Sequence, residues 1–410
     1  MKQFKYLILV LGSISVLWVY QGGRLVLTDG LDMPKAFNVS EHFSYYGMRS
    51  GPGIDWQALY DPNNNPILMA CLTEITEESL QALEIPDLHQ RLERLERGHL
   101  MKKVGERYQL AFPSIVGKKR VKLKKIVEES AIRLLPTCEN MIRQILPTLK
   151  DHKEMVYHVL WSVIMDGPLA WQAAGQTLKQ QVKHGDTSFN NKGWLVYPRH
   201  PFKCGTNSYG IPSGQLRISH SPNVFRAIRS SISQRQLDMS QYRAEFFQLI
   251  KQAAQAAKQG RPIASKSTRQ TLYKYGLVDR QGKPKIFIIQ CDPNNLEVIR
   301  LYVEMGRRFG EEIILNSDII KIADALDVEP GIAFLVAYHE ISYEVLERLA
   351  EKKILDIPDI VTKSNDISEI SKLISLTIVA EGIDVKQLLN IPKNRTKEDS
   401  ERATKDSKEK

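Results

Sequence analysis

Apolar residues recur at helical spacing along most of the chain, and short strand-like runs interrupt that pattern in a few places. Helical spacing extends over residues 66–97, 118–147, 155–178, 241–258, 295–309 and 342–353. Alternating or bulky apolar runs predict strands at residues 193–197, 215–219 and 285–290, of which a long loop joins the first two. Residues 332–337 fit either a strand or a buried helix. The pattern therefore predicts an α+β fold that is predominantly helical.

The first twenty residues contain the longest apolar run near a terminus. Lys2 and Lys5 precede the apolar residues 6–20, an order typical of an export signal. Small residues are missing where a cleavage site needs them, so an uncleaved single-pass anchor in the cell membrane is favoured. The positive charge before the run predicts an extracytoplasmic body. A buried element of a soluble domain is the alternative, because the run is shorter than the roughly 20 residues of a spanning helix.

Three short helices and a hairpin are predicted between residues 66 and 112. The third helix begins at Pro86 and places Leu88, Leu92 and Leu95 on one face, and Gly98 ends it. Residues 100–112 then form two strands around a turn at Gly105. This order of elements resembles winged helix-turn-helix domains of bacterial regulators over residues 66–113.

The resemblance implies a role for the third helix. In that family the third helix enters the DNA major groove, so its exposed side chains would read the bases. Those side chains are His89, Gln90, Arg91, Arg94 and Arg97.

The domain organisation follows from these patterns, since 410 residues exceed the size of one core. A winged-helix-like module is expected to precede mixed α/β domains. The expected order is an anchor at 1–25, a linker rich in turn formers at 26–61, the module at 62–125, a helical region at 126–190, a strand–loop–helix region at 191–260, an α/β region at 261–392 and a disordered tail at 393–410.

Charge favours an anionic partner without choosing one. The formal net charge is +10, which suits nucleic acid, phospholipid or a wall polymer. On the third helix, however, Asp87, Glu93 and Glu96 offset the three arginines. The stronger basic segment is 118–125, which forms either an anion-binding flank or a solvated helix face. The candidate anion-binding or partner-binding residues are Arg91, Arg94, Arg97, Lys102, Lys103, Lys118, Lys119 and Arg120.

Candidate chemistry is sparse. Cys204 is a weak candidate nucleophile with His200 as its base, and a structural loop is the alternative for these residues. His339 and Glu340 begin like the zinc motif H-E-x-x-H, but Tyr343 stands where the second histidine should be. The sequence therefore predicts no metal and no cofactor, and it places residues 338–343 at a junction between a strand and a helix. Cys71 and Cys291 lie in apolar runs and are expected to be buried, inert thiols.

These observations favour a membrane-anchored, extracytoplasmic binding protein that holds a protein or an anionic polymer through the module and its basic flank. One alternative is a winged-helix regulator, which requires the body of the protein to be in the cytosol with DNA. A second alternative is an exported cysteine-dependent hydrolase.

Overall fold

The structure is a computed structural model of the chain. It describes residues 18–21, 24–27, 31–32, 39, 43–46, 54–149, 153–189, 192–198, 200, 207–210, 216–220, 248–249, 252–253, 255–256, 259–274, 278–284, 287–291, 296–357 and 376–380. Within these residues the protein is predominantly helical with small sheets, which confirms the expected α+β character.

The described strands, in chain order, are β1 Trp18–Gln21, β2 Arg24–Leu27, β3 Leu31–Asp32, β4 Phe43–Tyr46, β5 Ile75–Thr76, β6 Met101–Val104, β7 Arg107–Leu110, β8 Ser114–Ile115, β9 Lys192–Val196, β10 Asn207–Gly210, β11 Leu216–His220, β12 Phe287–Cys291 and β13 Leu376–Ala380. The main helices are α1 Trp56–Tyr60, α2 Asn65–Ala70, α3 Glu77–Gln81, α4 Leu88–Arg97, α5 Gly117–Ile145, α6 Pro168–Gln181, α7 Lys266–Lys274, α8 Leu296–Leu315, α9 Ile319–Leu326 and α10 Pro330–Glu351. A short helix at Val156–His158 continues into a π-helix at Val159–Met165.

The structure corrects the prediction of a single-pass membrane anchor at the N-terminus. Among the described residues, no helix combines the length and the apolar character needed to cross a membrane. The end of the apolar run is instead strand β1, which pairs antiparallel with β2, Trp18 opposite Leu27 and Gln21 opposite Arg24. Successive residues of a strand point to opposite sides, so this part of the run forms no continuous apolar helix surface. Residues 1–17 lie outside the described residues.

Residues 26–61, where the sequence predicts a linker rich in turn formers, contain regular elements. Strands β2, β3 and β4 and helix α1 lie in this region. Val39, Phe43 and Leu59 are buried in the same apolar cluster as the helices that follow. The ring centroids of Phe43 and Phe112 are 4.3 Å apart. These elements are separated by turn-forming residues and are too short to show a hydrophobic period. The sequence pattern therefore did not predict them.

Contacts divide the chain into two units, each built from three segments. The first unit comprises Met1–Leu134, Gly175–Lys203 and Ile313–Val345. The second comprises Leu135–Ala174, Cys204–Glu312 and Leu346–Lys410. Helix α10 is one continuous element that belongs to the first unit as far as Val345.

The first unit contains a helical module at residues 54–116, where α1 to α4 pack on a small sheet of order β5-β7-β6. Thr76 caps α3 by accepting a hydrogen bond from the Ser79 amide, and acidic residues follow in the first turn. Leu92 and Leu95 of α4 are fully buried, as the leucine spacing predicts. Hairpin β6–β7 turns at Gly105, whose φ of 62° is a conformation that favours glycine.

Strand β9 links the module to the rest of the first unit. It pairs antiparallel with β4 and parallel with β8, so β9 is the central strand of a three-stranded sheet. The sequence predicted strands at 193–197 and 215–219, and the structure has β9 and β11 at these positions. The two strands lie in different sheets, because β11 pairs with β10 and β13 in the second unit.

Helix α10 corrects the prediction of a strand-to-helix junction at residues 338–343. Residues 332–337 and the predicted junction all belong to one helix, Pro330–Glu351. Gly331 allows its first turn to approach the chain at Ser188, because an added Cβ would lie 2.1 Å from the Ser188 carbonyl oxygen. The apolar run was ambiguous because a helix buried around much of its surface loses its 3.6-residue periodicity.

The second unit combines helices with a sheet of order β10-β11-β13-β12, in which β12 and β13 are parallel. Helix α8 passes close to the N-terminal part of α6. An added Cβ at Gly310 would lie 2.0 Å from the carbonyl oxygen of Ala170, so only glycine permits this approach.

Replacing Gly98 should destabilise the module at 54–116. A Cβ at this position would lie 2.7 Å from the Cβ of Asp55 and 3.0 Å from the Arg94 carbonyl oxygen. We expect Gly98→Ala to lower the free energy of unfolding by about 1–3 kcal/mol through overpacking. Urea denaturation measures the change, with Gln90→Ala on the exposed face of α4 as the control. Equal midpoints for the two variants would contradict this packing.

Stability should also depend on the protonation of His158 in the second unit. Burial lowers the pKa of His158 to about 4. The unfolded chain has a histidine pKa near 6.5, so it binds more protons below that pH, and stability falls as the pH decreases toward 4. We expect a loss of about 3 kcal/mol over this interval. Urea denaturation at several pH values should show a smaller loss for His158→Gln, and parallel pH profiles would refute the assignment.

Candidate functional site

Helix α4 corresponds to the third helix of the sequence prediction, and its Arg91 holds the segment between α1 and α2 rather than facing solvent. Its Nη1 donates to Asp61 Oδ2 at 3.0 Å and to Asn64 Oδ1 at 2.9 Å, and its Nε donates to the Pro86 carbonyl. Asn64 is buried and donates to the Ala58 carbonyl at 2.8 Å. Arg91 therefore satisfies a buried amide and ties α4 to the chain between α1 and α2.

Arg94 makes a similar contact with the start of α1. Its Nε donates to Asp55 Oδ2 at 3.0 Å, and Asp55 also accepts from the Ala58 amide as the cap of α1. Burial alone would raise the pKa of Asp55, but the hydrogen bonds from Arg94 and Ala58 and the charge of Arg94 hold it below its ordinary value. Two of the predicted base-reading residues, Arg91 and Arg94, are thus engaged within the module.

The exposed side chains of α4 are mixed in charge. His89, Gln90, Glu93 and Arg97 are exposed. The Nε2 of His89 lies 3.3 Å from Glu93 Oε1, one helical turn away. Between residues 54 and 116 there are ten Asp and Glu against six Lys and Arg, a net charge of −4. The module is therefore acidic although the whole chain is basic.

The β6–β7 hairpin is held against the helices by acidic side chains. The Lys103 amide donates to Glu96 Oε1 of α4 at 3.0 Å. The Tyr108 hydroxyl donates to Glu77 Oε2 of α3 at 3.3 Å. Lys102 and Lys103 themselves remain exposed on β6. The Lys103 Nζ lies 5.1 Å from the centroid of the Tyr108 ring and 3.9 Å from Glu77 Oε2, so its charge is partly offset within the module.

The basic segment 118–125 begins α5, and helical geometry distributes its charges over different faces. Lys118, Lys122 and Lys125 are exposed, and their spacing of four and three residues puts them on one side. Lys119 is half-buried. Arg120 departs from the prediction of an exposed flank, because it shares the inward face with Leu123 and is only 8% exposed.

Arg120 belongs to a buried polar cluster of the first unit. Its Nη2 lies 2.8 Å from Glu340 Oε2 of α10. Its Nε donates to the carbonyl oxygen of Pro198, just beyond β9, at 2.8 Å. One guanidinium group therefore links α5, α10 and the end of the β9 strand.

His200 lies in the same cluster, two residues after Pro198. It is 4% exposed, and its Nε2 lies 3.0 Å from Glu344 Oε2. The His339 Nδ1 donates to the Leu335 carbonyl at 2.8 Å, and its ring lies 5.4 Å from Trp194. His200 thus faces a carboxylate of α10. Cys204, its predicted nucleophilic partner, lies outside the described residues.

Two other cysteines are unsuited to nucleophilic chemistry. Cys71 is buried, as the sequence predicts, and Cys138 is fully buried. Burial raises the pKa of each thiol to about 12. Because the thiolate is the reactive form, both thiols are inert near neutral pH.

Sequence reasoning missed the acidic face of α10. Glu340, Glu344 and Glu347 recur at intervals of four and three residues in the second half of α10. That spacing places the three carboxylates on one side. It was overlooked because residues 332–343 were divided between a strand and a junction.

Comparison of the chain with models of protein families, with curated proteins and with solved structures finds no match. The function has to be inferred from the residues of the chain itself.

Arg91 and Arg97 should respond differently to truncation. Arg91→Ala removes the donor to buried Asn64, and we expect it to lower the free energy of unfolding by about 1–3 kcal/mol. Arg97→Ala removes an exposed side chain and should change it by less than about 0.5 kcal/mol. Chemical denaturation of both variants tests the assignment. A loss for Arg91→Ala no greater than that for Arg97→Ala would contradict the scaffold role of Arg91.

Proposed function

We propose that the chain is a binding protein whose module at residues 54–116 is a winged helix that recognises a protein partner. Three features support the winged-helix assignment. From α2 onward the order of elements is helix, strand, two helices and a hairpin, and the sheet order is β5-β7-β6. Helix α4 carries buried leucines on one face and polar residues on the other. The proposal does not include the membrane anchor.

The observation that carries the choice of a protein partner is the engagement of Arg91 and Arg94. Both guanidinium groups pair with aspartates of the same module, Asp61 and Asp55. The positive charge of both arginines is therefore already offset within the module. Phosphate attraction supplies most nonspecific DNA affinity, and a module with a net charge of −4 offers little of it.

The exposed face of α4 suits a protein surface of opposite charge. Glu93 is exposed and has the imidazole of His89 beside it. Gln90 and Arg97 add hydrogen-bond donors at the same surface. Complementary charge at an interface steers association and selects partners. A partner with a basic patch around a polar centre fits this face.

A DNA-binding regulator is the second candidate, and a specific observation favours it. Lys102 and Lys103 of β6 and Lys118, Lys122 and Lys125 of α5 are exposed. Lysines of this kind contact phosphates without reading sequence. This candidate predicts DNA binding that depends strongly on salt.

A crosslinking experiment tests the protein partner. A photoreactive amino acid in place of Gln90 in the full chain should yield a discrete protein adduct in the source cells. Glu93→Lys should reduce that adduct at least about tenfold, because it places like charges opposite each other. Glu297→Lys, on the first turn of α8 in the second unit, is the matched control and should leave the yield unchanged.

DNA binding by the full chain distinguishes the two candidates. Anisotropy of labelled duplex DNA should show only weak, sequence-independent retention at low salt, lost when Lys118, Lys122 and Lys125 are changed to Glu. Sequence-specific binding at physiological salt that Gln90→Ala and Arg97→Ala relax would overturn the protein-partner proposal.

A further inference from the structure

We propose that the helix–hairpin segment at residues 259–284, which lies in the second unit, binds single-stranded nucleic acid. The segment contains six Lys and Arg residues against one Asp, a net charge of +5. Half of the formal net charge of the chain, +10, therefore lies in 26 residues. The segment consists of helix α7 and a short hairpin closed by the bridge between Val278 and Pro284. This second binding surface is formed by other residues than the one proposed on α4.

The hairpin packs directly on helix α7 and on the residues before it. The Ile263 amide donates to the Gly282 carbonyl at 2.9 Å. Gly282 has a φ of 82°, and a Cβ there would lie 2.7 Å from the Cδ of Arg269. Ile263, Leu272 and Val278 are buried, so the helix and the hairpin both turn apolar residues away from solvent. The charged side chains are therefore presented on a structured element.

One face of α7 is polar and exposed. Lys266, Gln270 and Tyr273 recur at intervals of four and three residues, so they lie along one side of the helix. All three are exposed, and Tyr273 is 40% exposed. The Arg280 Nε of the hairpin donates to the Tyr273 hydroxyl at 3.2 Å, which brings a guanidinium group beside this face. The surface thus combines a lysine, an amide, an aromatic ring and an arginine.

The positive charges of this surface are not offset within the segment. Its only carboxylate, on Asp279, accepts a hydrogen bond from the Lys283 amide at 2.8 Å. Arg261, Lys266, Arg280 and Lys283 are exposed. Among the residues that the structure describes, none of these four cations forms an ion pair with a carboxylate. Exposed cations of this kind are the main source of affinity for a phosphodiester chain, because they release its counterions.

The aromatic ring decides between the anionic partners. Proteins that bind single strands stack successive bases on aromatic side chains and on arginine guanidinium groups. In a duplex the bases are stacked and paired with each other, so the Tyr273 ring would contact none of them. An acidic protein satisfies the cations but supplies no row of aromatic bases. Tyr273 beside Arg280 therefore favours a single strand, bound with little sequence preference.

Fluorescence anisotropy of the full chain with a labelled RNA strand of mixed sequence and about 12 nucleotides tests the proposal. We expect saturable binding that weakens as the salt concentration rises. The duplex of the same strand should bind at least about tenfold more weakly. Tyr273→Ala should weaken binding of the strand about fivefold or more, whereas Tyr273→Phe keeps the ring and should retain the affinity within about twofold.

Two variants with the same change in charge locate the binding surface. Lys266→Glu combined with Arg280→Glu should weaken binding of the strand at least about tenfold. Lys118→Glu combined with Lys122→Glu, on α5 of the first unit, removes the same charge and should change the affinity by less than about twofold. Circular dichroism of each variant separates loss of the surface from loss of the fold.

Equal losses for the two charge variants, equal affinity for strand and duplex, or unchanged affinity of Tyr273→Ala would overturn the proposal. Competition by polyglutamate as effective, per charge, as that by the unlabelled strand would also overturn it and would assign the surface to an acidic protein. Absence of RNA binding at low salt would do the same and would leave the proposed protein partner of α4 untouched.

Discussion

The first unit depends on the buried guanidinium group of Arg120. Its three segments are far apart in the chain, and Arg120 in the first contacts Pro198 in the second and Glu340 in the third. Burying a charge pair has a large desolvation cost, and removing one partner from such a pair costs about 3–5 kcal/mol. The pair therefore selects one arrangement of α5, β9 and α10. The positions of His200 and Glu344 follow from that arrangement.

Tertiary contacts decide whether an arginine of the module faces a partner or holds two helices together. Arg91 and Arg94 lie on α4, the helix that the proposed winged helix would present to DNA, yet both pair with aspartates that cap the two ends of α1. In each ion pair the arginine charge is neutralised within the module, and the pair connects α4 to α1. The face that remains exposed is mixed in charge, because Arg97 and His89 lie beside Gln90 and Glu93. The two paired arginines and this mixed face are the physical reason for proposing a protein partner.

Helix α10 concentrates ionisable groups inside an apolar element. A buried carboxylate is costly unless a cation, a hydrogen-bond donor or a metal ion compensates its charge. Arg120 compensates Glu340, and His200 lies against Glu344. Ionisable groups in such surroundings are more often tied to chemistry than exposed ones.

Local pattern was sufficient for some elements of this protein. The leucines of α4, the stop at Gly98, the turn at Gly105 and the burial of Cys71 follow from side-chain spacing and backbone preference, which are properties of short segments. Pattern failed where elements were too short or too buried to show a period. The strands before residue 54 and the single helix at 330–351 are the two cases.

The sequence by itself determined the predominantly helical α+β character of the chain, the leucine face of α4 and the hairpin that follows it, because these depend on neighbours within a few turns. Only the tertiary structure decided which charges are exposed and which are paired. It turned Arg120 inward to Glu340 and brought His200 to Glu344, a residue 144 positions away in the chain. Such pairings depend on how distant segments fold together, and no local period encodes them.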